Sequence, residues 1–291
     1  MNVISRVRTY GSLVAFAHTV FAMPFAASAV VLALAVPHER LTVPRAVAMV
    51  VCMVCARTSA MAFNRWADRD VDARNPRTRV RHLPAGVVRP GEALALAGVS
   101  ALAFVAVAAT LGFWPGVLAP GVLVVLLGYS YAKRFTWGAH AWLGVALALA
   151  PGGAWIAIGA RPGAGILLLM AAVVTWLLGF DVLYALQDEA FDRGEGLRSI
   201  PARFGGDRAL AISASAHVVT VGALAGCGVA LGRGPAYACA VVASAALLVY
   251  EHSVVRRRGL AAIDKAFFDV NAWISVLFFV LVSVDALLRA R

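Results

Sequence analysis

The sequence predicts an all-α, polytopic membrane protein with about nine transmembrane helices. Three observations predict this class: 62% of the 291 residues are hydrophobic, only 14% are charged, and the apolar residues lie in long continuous runs. A soluble domain is roughly 45–50% apolar and about 25% charged, so most of the apolar excess must face lipid. The same composition excludes the disordered, collagen-like and disulfide-scaffold classes.

Nine apolar runs account for the predicted spans, since a spanning helix needs about 20 residues. The first run follows Arg6 and Arg8 and passes a signal-peptide-like cleavage site at residues 26–29. Its length favours a retained span over a cleaved one. The nine runs cover residues 12–36, 43–64, 92–113, 116–132, 139–160, 164–186, 208–231, 235–251 and 267–288.

The basic residues set the expected orientation. The chain has 26 basic and 15 acidic residues, a formal net charge of +11. Lys and Arg accumulate in cytoplasmic loops, and with a cytoplasmic N-terminus most of them fall on that side. The charge therefore indicates orientation in a bacterial-type inner membrane, with the site facing the cytoplasm, and not a nucleic-acid partner.

Two long loops lie on the predicted cytoplasmic side, at residues 65–91 and 187–207, and follow the second and sixth runs. Their equivalent positions indicate a four-helix unit that is used twice, plus one extra helix, around a central cavity. We expect a single transmembrane domain over residues 1–291, with the two loops capping the site.

Both loops begin with acidic clusters. Asn64, Asp68 and Asp72 are spaced four apart, as are Asp188 and Asp192, so each set shares one face of a helix. Stacked carboxylates repel one another, and their oxygens suit Mg²⁺, which takes one or two carboxylates together with substrate phosphates. The clusters predict a Mg²⁺ site; the alternative is that the carboxylates neutralise the abundant arginines.

Charged residues also lie inside two apolar runs. Arg57 and Asp181 each precede an acidic cluster by two helical turns. A charge at mid-span costs about 2.5–3.5 kcal/mol on insertion scales and usually faces a cavity or a partner. The pair predicts either a pocket for an anionic or phenolic substrate, or an ion pair that joins the halves. Arg77 and Lys133 bracket the acidic face and suit phosphate groups.

The motifs that contain these residues resemble those of the UbiA superfamily of intramembrane prenyltransferases, within its 4-hydroxybenzoate polyprenyltransferase group. Arg65 follows Asn64, where the family often has Asp, and this variant is similar to the subgroup that acts on hydroxybenzoate or hydroxynaphthoate. The matching stretches are residues 18–26, 57–72, 75–78, 83–86, 129–131, 133–135, 181–192 and 199–201.

The resemblance implies transfer of a polyprenyl group from a polyprenyl diphosphate to a ring carbon of an aromatic acid, with Mg²⁺ as cofactor, in quinone biosynthesis. It implies that Arg77 and Lys133 contact the diphosphate and that Arg57 and Asp181 lie beside the acceptor. Two aromatic positions would line the pocket, Tyr129 and Tyr184. The implied metal ligands are Asn64, Asp68, Asp72, Asp188 and Asp192, and the implied catalytic set is Asp68, Asp188, Asp181, Arg57 and Lys133.

Other functions fit less well. A dihydroxynaphthoate acceptor, for menaquinone, stays open within the same chemistry, and protohaem farnesylation and chlorophyll-tail addition match the motifs less closely. A CDP-alcohol phosphotransferase would carry an Asp-Gly-x-x-Ala-Arg-type motif, which the sequence lacks. A divalent-cation transporter would carry acids at mid-membrane or on both sides, whereas here nearly all lie at one edge.

Overall fold

The computed structural model describes residues 9–13, 19–35, 41–259 and 263–290, and all regular structure in those ranges is helical. A 3₁₀ turn, Leu186–Asp188, follows α6. The helices are α1 (Thr19–Leu34), α2 (Val43–Arg74), α3 (Pro90–Thr110), α4 (Phe113–Phe135), α5 (Ala139–Ile158), α6 (Ala164–Ala185), α7 (Glu189–Gly194), α8 (Ile200–Phe204), α9 (Gly206–Ala230), α10 (Pro235–Arg258) and α11 (Ile263–Arg289).

The predicted all-α, polytopic class is confirmed. Within the described ranges, eight helices are long and apolar enough to cross a membrane, judged by length and composition. The predicted count of about nine is near, because α1 contributes a shorter apolar stretch, Met23–Leu34. The first predicted span also includes residues 14–18 and 36, which lie outside the described ranges. Large apolar side chains such as Leu102 and Val229 are 73% and 84% exposed, as expected where the solvent is lipid.

The helices extend into both segments that the sequence assigns to loops. Helix α2 continues ten residues past the predicted end of its span and stops at Arg74, where Asn75 is extended at φ −84° and ψ 119°. Pro76 follows, and a residue before proline is disfavoured in the α region. The first connection is therefore residues 75–89, and the second segment, 187–207, contains α7 and α8.

The described residues fall into two compact units: those within Met1–Thr19 and Thr42–Tyr131 form the first, and those within Val20–Leu41 and Ala132–Arg291 form the second. In the first unit α2 packs mainly against α3; in the second, α6 packs against α5 and α9, and α10 against α11. The division differs from a four-helix unit followed by a second one, because most of α1 groups with the second unit. Its Phe25 ring lies 5.0 Å from that of Trp176 and 5.1 Å from that of Phe278.

A buried polar network links three helices of the second unit. The Trp176 indole N–H donates to Asn271 Oδ1 at 2.8 Å, and Asn271 Nδ2 donates to Glu251 Oε1 at 2.6 Å. Asn271 is fully buried and Glu251 is 2% exposed. Glu251 Oε2 has no hydrogen-bond partner among the residues that the structure describes. Removing the partner of a buried polar group costs free energy. The network therefore favours the one packing of α6, α10 and α11 in which these hydrogen bonds form.

We expect Asn271→Leu to destabilise the protein in detergent, because it leaves the Trp176 N–H and Glu251 Oε1 without this partner. An unsatisfied buried polar group costs about 1–3 kcal/mol. Glu251→Gln should melt near the unaltered protein, since its amide oxygen can accept the same hydrogen bond. Ser244→Ala on α10 is the matched control, because that hydroxyl donates to the Ala240 carbonyl of its own helix, at 2.8 Å, and bonds no other described residue. Equal melting temperatures for Asn271→Leu and Ser244→Ala would contradict the role assigned to the network.

Candidate active site

The first acidic motif lies along one face of the last turns of α2. Asn64 Nδ2 donates to Asp68 Oδ2 at 2.8 Å and lies 3.5 Å from the Ser130 hydroxyl oxygen. Asp72, one turn beyond Asp68, is only 5% exposed. Arg57, half-buried on the same helix, lies about 10 Å before Asn64 at 1.5 Å per residue. The helical spacing that the sequence predicts for these residues is therefore present.

The connection after α2 folds back onto this motif. Arg81 Nη1 lies 2.7 and 2.9 Å from the two carboxylate oxygens of Asp72, and the Thr78 hydroxyl donates to the Asp72 carbonyl at 3.1 Å. Sequence reasoning selected Arg77, which is half-buried and whose backbone amide donates to Asn75 Oδ1 at 2.9 Å. It did not select Arg81, because nothing local distinguishes one arginine of this segment from another.

Two further residues near the first motif, Asp70 and His82, interact with neighbours outside the motif. Asp70 is 72% exposed and pairs with Arg69 at 3.4 Å, so it is a surface carboxylate neutralised by its neighbour. Burial, and after it the charge of Arg65, lowers the pKa of His82. The ring is therefore neutral at pH 7, and its Nε2 lies 2.9 Å from the Ser12 hydroxyl.

The second acidic motif surrounds the end of α4. Lys133 Nζ donates to Asp192 Oδ2 at 3.1 Å, and it also interacts electrostatically with Asp181 and Asp188. Asp188 and Asp192 are 8% and 2% exposed. The predicted lysine therefore contacts one predicted carboxylate, Asp192, and lies within electrostatic range of two others in the same unit.

The spacing of the second motif predicts one continuous helix, but the structure interrupts that helix. Asp181 lies in α6 and Asp192 in α7, while Asp188 closes the 3₁₀ turn between them. A 3₁₀ turn has 3.0 residues per turn where an α-helix has 3.6. Asp188 is therefore rotated away from the face that an uninterrupted α6 would present.

The segment after this motif docks onto α4. The Arg198 backbone amide donates to the Lys133 carbonyl at 2.7 Å, and its guanidinium donates to the Phe135 carbonyl at 2.6 Å. These bonds satisfy carbonyls in the last turn of α4, which otherwise lack intrahelical partners. They also hold Lys133 and the second motif against each other.

Asp181 has a partner that sequence reasoning missed. His140, fully buried near the start of α5, places Nδ1 2.6 Å from Asp181 Oδ2. The position of His140 inside an apolar run could have indicated this contact, because ionisable residues within membrane spans usually face a functional or structural partner. Tyr184, one turn after Asp181, packs against the cluster around Leu183, while Tyr129 is half-buried on α4.

The donor atoms suit a hard cation. Carboxylate oxygens and the Asn64 amide oxygen are ligands that Mg²⁺ accepts, and the described residues contain no group of three or more His, Cys, Asp or Glu side chains close enough to hold an ion. A cation that completes its shell with substrate phosphate needs only one or two carboxylates at a time. The residues present therefore fit Mg²⁺ bound together with a phosphate ligand.

Fold and site together define an integral, multi-pass, all-helical membrane protein in which acidic side chains are paired with basic ones at the ends of helices. The family model described as "UbiA prenyltransferase family" matches residues 21–280. A 4-hydroxybenzoate octaprenyltransferase of Aromatoleum aromaticum is 32% identical over 235 residues, 80% of this chain and 78% of the relative. The chain belongs to the UbiA prenyltransferase family and is a prenyltransferase.

Solved structures show the same fold. A UbiA homologue from Aeropyrum pernix K1, solved without ligand, superposes with a TM-score of 0.83 at 32% identity, covering 92% of this chain and 98% of that one. A UbiA homologue from Archaeoglobus fulgidus, solved with GPP and Mg²⁺, gives a TM-score of 0.75 at 21% identity over 96% and 99% of the two chains.

Proposed function

We propose that this chain transfers a polyprenyl group from a polyprenyl diphosphate to a ring carbon of a 4-hydroxybenzoate-type acid, with Mg²⁺, in quinone biosynthesis. The relatives named 4-hydroxybenzoate octaprenyltransferase support the acceptor class, and the homologue solved with GPP and Mg²⁺ supports the donor and the metal. The positive charge of the predicted inner loops supports an active site toward the cytoplasm in the inner membrane.

The observation that carries the proposal is that a basic side chain forms an ion pair with one carboxylate of each acidic motif. Arg81 contacts Asp72 and Lys133 contacts Asp192. A bound Mg²⁺ can take the place of these cations on the carboxylates, and the cations can then bind diphosphate oxygens. These ion pairs do not favour a cation transporter, because the positive charges of Arg81 and Lys133 would compete with the transported cation for the carboxylates.

In the proposed site, Mg²⁺ would be held by Asn64, Asp68, Asp72, Asp188 and Asp192. When bound, it would neutralise negative charge on the departing diphosphate. Lys133 and Arg77, together with Arg81 once it leaves Asp72, would add hydrogen bonds to the same oxygens. Preorganised electrostatic stabilisation of this kind is often the largest catalytic contribution. The allylic carbon–oxygen bond breaks, and its electrons leave with the diphosphate.

The acceptor end would use the charged residues inside the spans. Arg57 would bind the carboxylate of the aromatic acid, and Asp181 would accept the phenolic hydrogen bond that activates the adjacent ring carbon. That carbon forms the new bond to the prenyl group and then loses its proton, which the released diphosphate can accept. The ring faces of Tyr129 and Tyr184 would favour the allylic cation by about 2 kcal/mol when desolvated.

The purified protein in liposomes should prenylate 4-hydroxybenzoate when given Mg²⁺ and geranyl diphosphate, and EDTA should abolish the product. Mass spectrometry identifies the product, and 1,4-dihydroxy-2-naphthoate is the parallel acceptor. Prenylation of the naphthoate alone would replace the proposed acceptor by the menaquinone-type one. Product formed equally with and without EDTA would contradict the role of the metal.

A further inference from the structure

The contact between Asp181 and His140 continues to a third group. His140 Nδ1 lies 2.6 Å from Asp181 Oδ2, and its Nε2 accepts the backbone N–H of Ile200 at 3.2 Å. Ile200 is the first residue of α8, and the first amides of a helix lack partners inside the helix. The imidazole therefore joins α5 both to the carboxylate on α6 and to the segment after the second acidic motif.

The Ile200 contact fixes which imidazole nitrogen carries the proton. A backbone amide only donates, so Nε2 must be the bare nitrogen that accepts. The single proton of a neutral imidazole is then on Nδ1 and is directed at Asp181 Oδ2. A protonated imidazolium would set two hydrogens against each other at Ile200. The two contacts together specify a His140 imidazole that is neutral and that donates its Nδ1–H to Asp181 Oδ2.

Only one oxygen of the Asp181 carboxylate is occupied by this arrangement. In the described part of the chain, Oδ1 makes no hydrogen bond, and the side chain is 14% exposed. A carboxylate held at one oxygen has its second oxygen in a fixed direction, ready to accept a hydroxyl hydrogen. A histidine that holds a carboxylate in this way supplies orientation without reaching the substrate itself.

We infer that His140 is a positioning residue for the aromatic acceptor: its Nδ1–H fixes the Asp181 carboxylate so that Oδ1 receives the acceptor's phenolic hydrogen. The inference rests on the proposed function, since it assigns Asp181 to the acceptor. The same imidazole connects the segment after the second acidic motif to Asp181, through the Ile200 amide. The competing explanation is that His140 serves only to satisfy the first amide of α8.

Kinetics of two variants separate these explanations. Glutamine at position 140 can donate its amide hydrogen to Asp181 and accept from Ile200 with its carbonyl, whereas leucine can do neither. We expect His140→Gln to stay within about threefold of the unaltered protein. His140→Leu should lower kcat/KM for the acceptor about 10- to 100-fold, the usual range for a group that orients a ligating residue, while KM for the prenyl diphosphate stays unchanged within about twofold. A loss shared equally by donor and acceptor would overturn the inference.

A double change tests whether the effect passes through Asp181. In an Asp181→Asn background, His140→Leu should cost little additional acceptor efficiency, because residues that act through each other are not additive. The same fold loss in both backgrounds, or a fall in melting temperature that accounts for all lost activity, would indicate a purely structural role for His140.

A spectroscopic measurement reads the arrangement without turnover. In protein labelled with ¹⁵N-histidine, the resonances that disappear in His140→Gln should be those of a neutral ring protonated at Nδ1. An imidazolium, or a ring protonated at Nε2, would overturn the inference even if catalysis follows the proposed function. If the unaltered protein forms no prenylated acid, the proposed function and the acceptor role fail together, while the Nδ1–H bond to Asp181 is still decided by the spectrum.

Discussion

Alanine in place of Asp68 or Asp188 is expected to reduce product formation by at least about 100-fold, with the protein still folded in the membrane. Each substitution removes a proposed metal ligand, and the loss of one preorganised charge-stabilising group typically costs about 10²- to 10³-fold in kcat. Stability should change little, because removing one of several clustered carboxylates also removes repulsion. The measurement is initial rate with geranyl diphosphate and 4-hydroxybenzoate, together with thermal melting in detergent.

Asp70→Ala is the matched control for this prediction. Asp70 lies two residues from Asp68 on the same helix, but it is 72% exposed and paired with Arg69. Its loss should leave the rate within about twofold, since an exposed ion pair contributes about 0–1 kcal/mol. If Asp68→Ala and Asp70→Ala have equal rates, the first motif is a set of surface charges and does not bind the metal.

Alanine at position 144 is expected to have the second large effect, on packing. Gly144 lies on α5 against α6, and a Cβ there would overlap the Val174 carbonyl oxygen and lie 3.0 Å from the Val174 Cα. Backbone atoms of a neighbouring helix cannot move aside as a flexible side chain can, and overpacking costs about 1–3 kcal/mol or more. His140 lies one turn earlier on α5, so separating the two helices also strains its contact with Asp181. We therefore expect a lower melting temperature and a loss of activity at temperatures where the protein is still folded.

Gly153→Ala should change stability in the opposite direction. Gly153 lies on the same helix, is exposed, and would meet nothing within 4 Å of an added Cβ. Alanine is favoured over glycine in a helix by about 1 kcal/mol, so this variant should melt at or above the temperature of the unaltered protein. Equal melting of the two alanine variants would show that α5 and α6 are not in close contact at Gly144.

The sequence predicts the spans and the acidic motifs because both depend on local patterns. Continuous apolar runs reflect the requirement that side chains face lipid, and Asn64, Asp68 and Asp72 share a face because the helix period brings every fourth residue together. The break at Leu186–Asp188 has no such signal, since no glycine or proline marks it. Helix ends are equally hard to predict, as the continuation of α2 to Arg74 shows.

The partners of the site residues could not be predicted for a different reason. Arg81 and Asp72 are nine residues apart, His140 and Asp181 are 41 apart, and Lys133 and Asp192 are 59 apart. No helical period relates such positions, so each pair depends on how separate segments pack. The sequence identified Asp72, Asp181, Lys133 and Asp192 as individual residues, but their pairing required the tertiary structure.

The uninterrupted length of α2 bears on the kind of donor the protein can use. Its 32 residues extend about 48 Å at 1.5 Å per residue, well beyond the roughly 30 Å of bilayer hydrocarbon. One rigid rod thus carries Arg57 among apolar neighbours and Asp72 about 22 Å further along. If the donor is the proposed prenyl diphosphate, its apolar tail and charged head would match these two levels of α2, so we expect the helix to place the diphosphate at the membrane surface while the tail stays in the hydrocarbon.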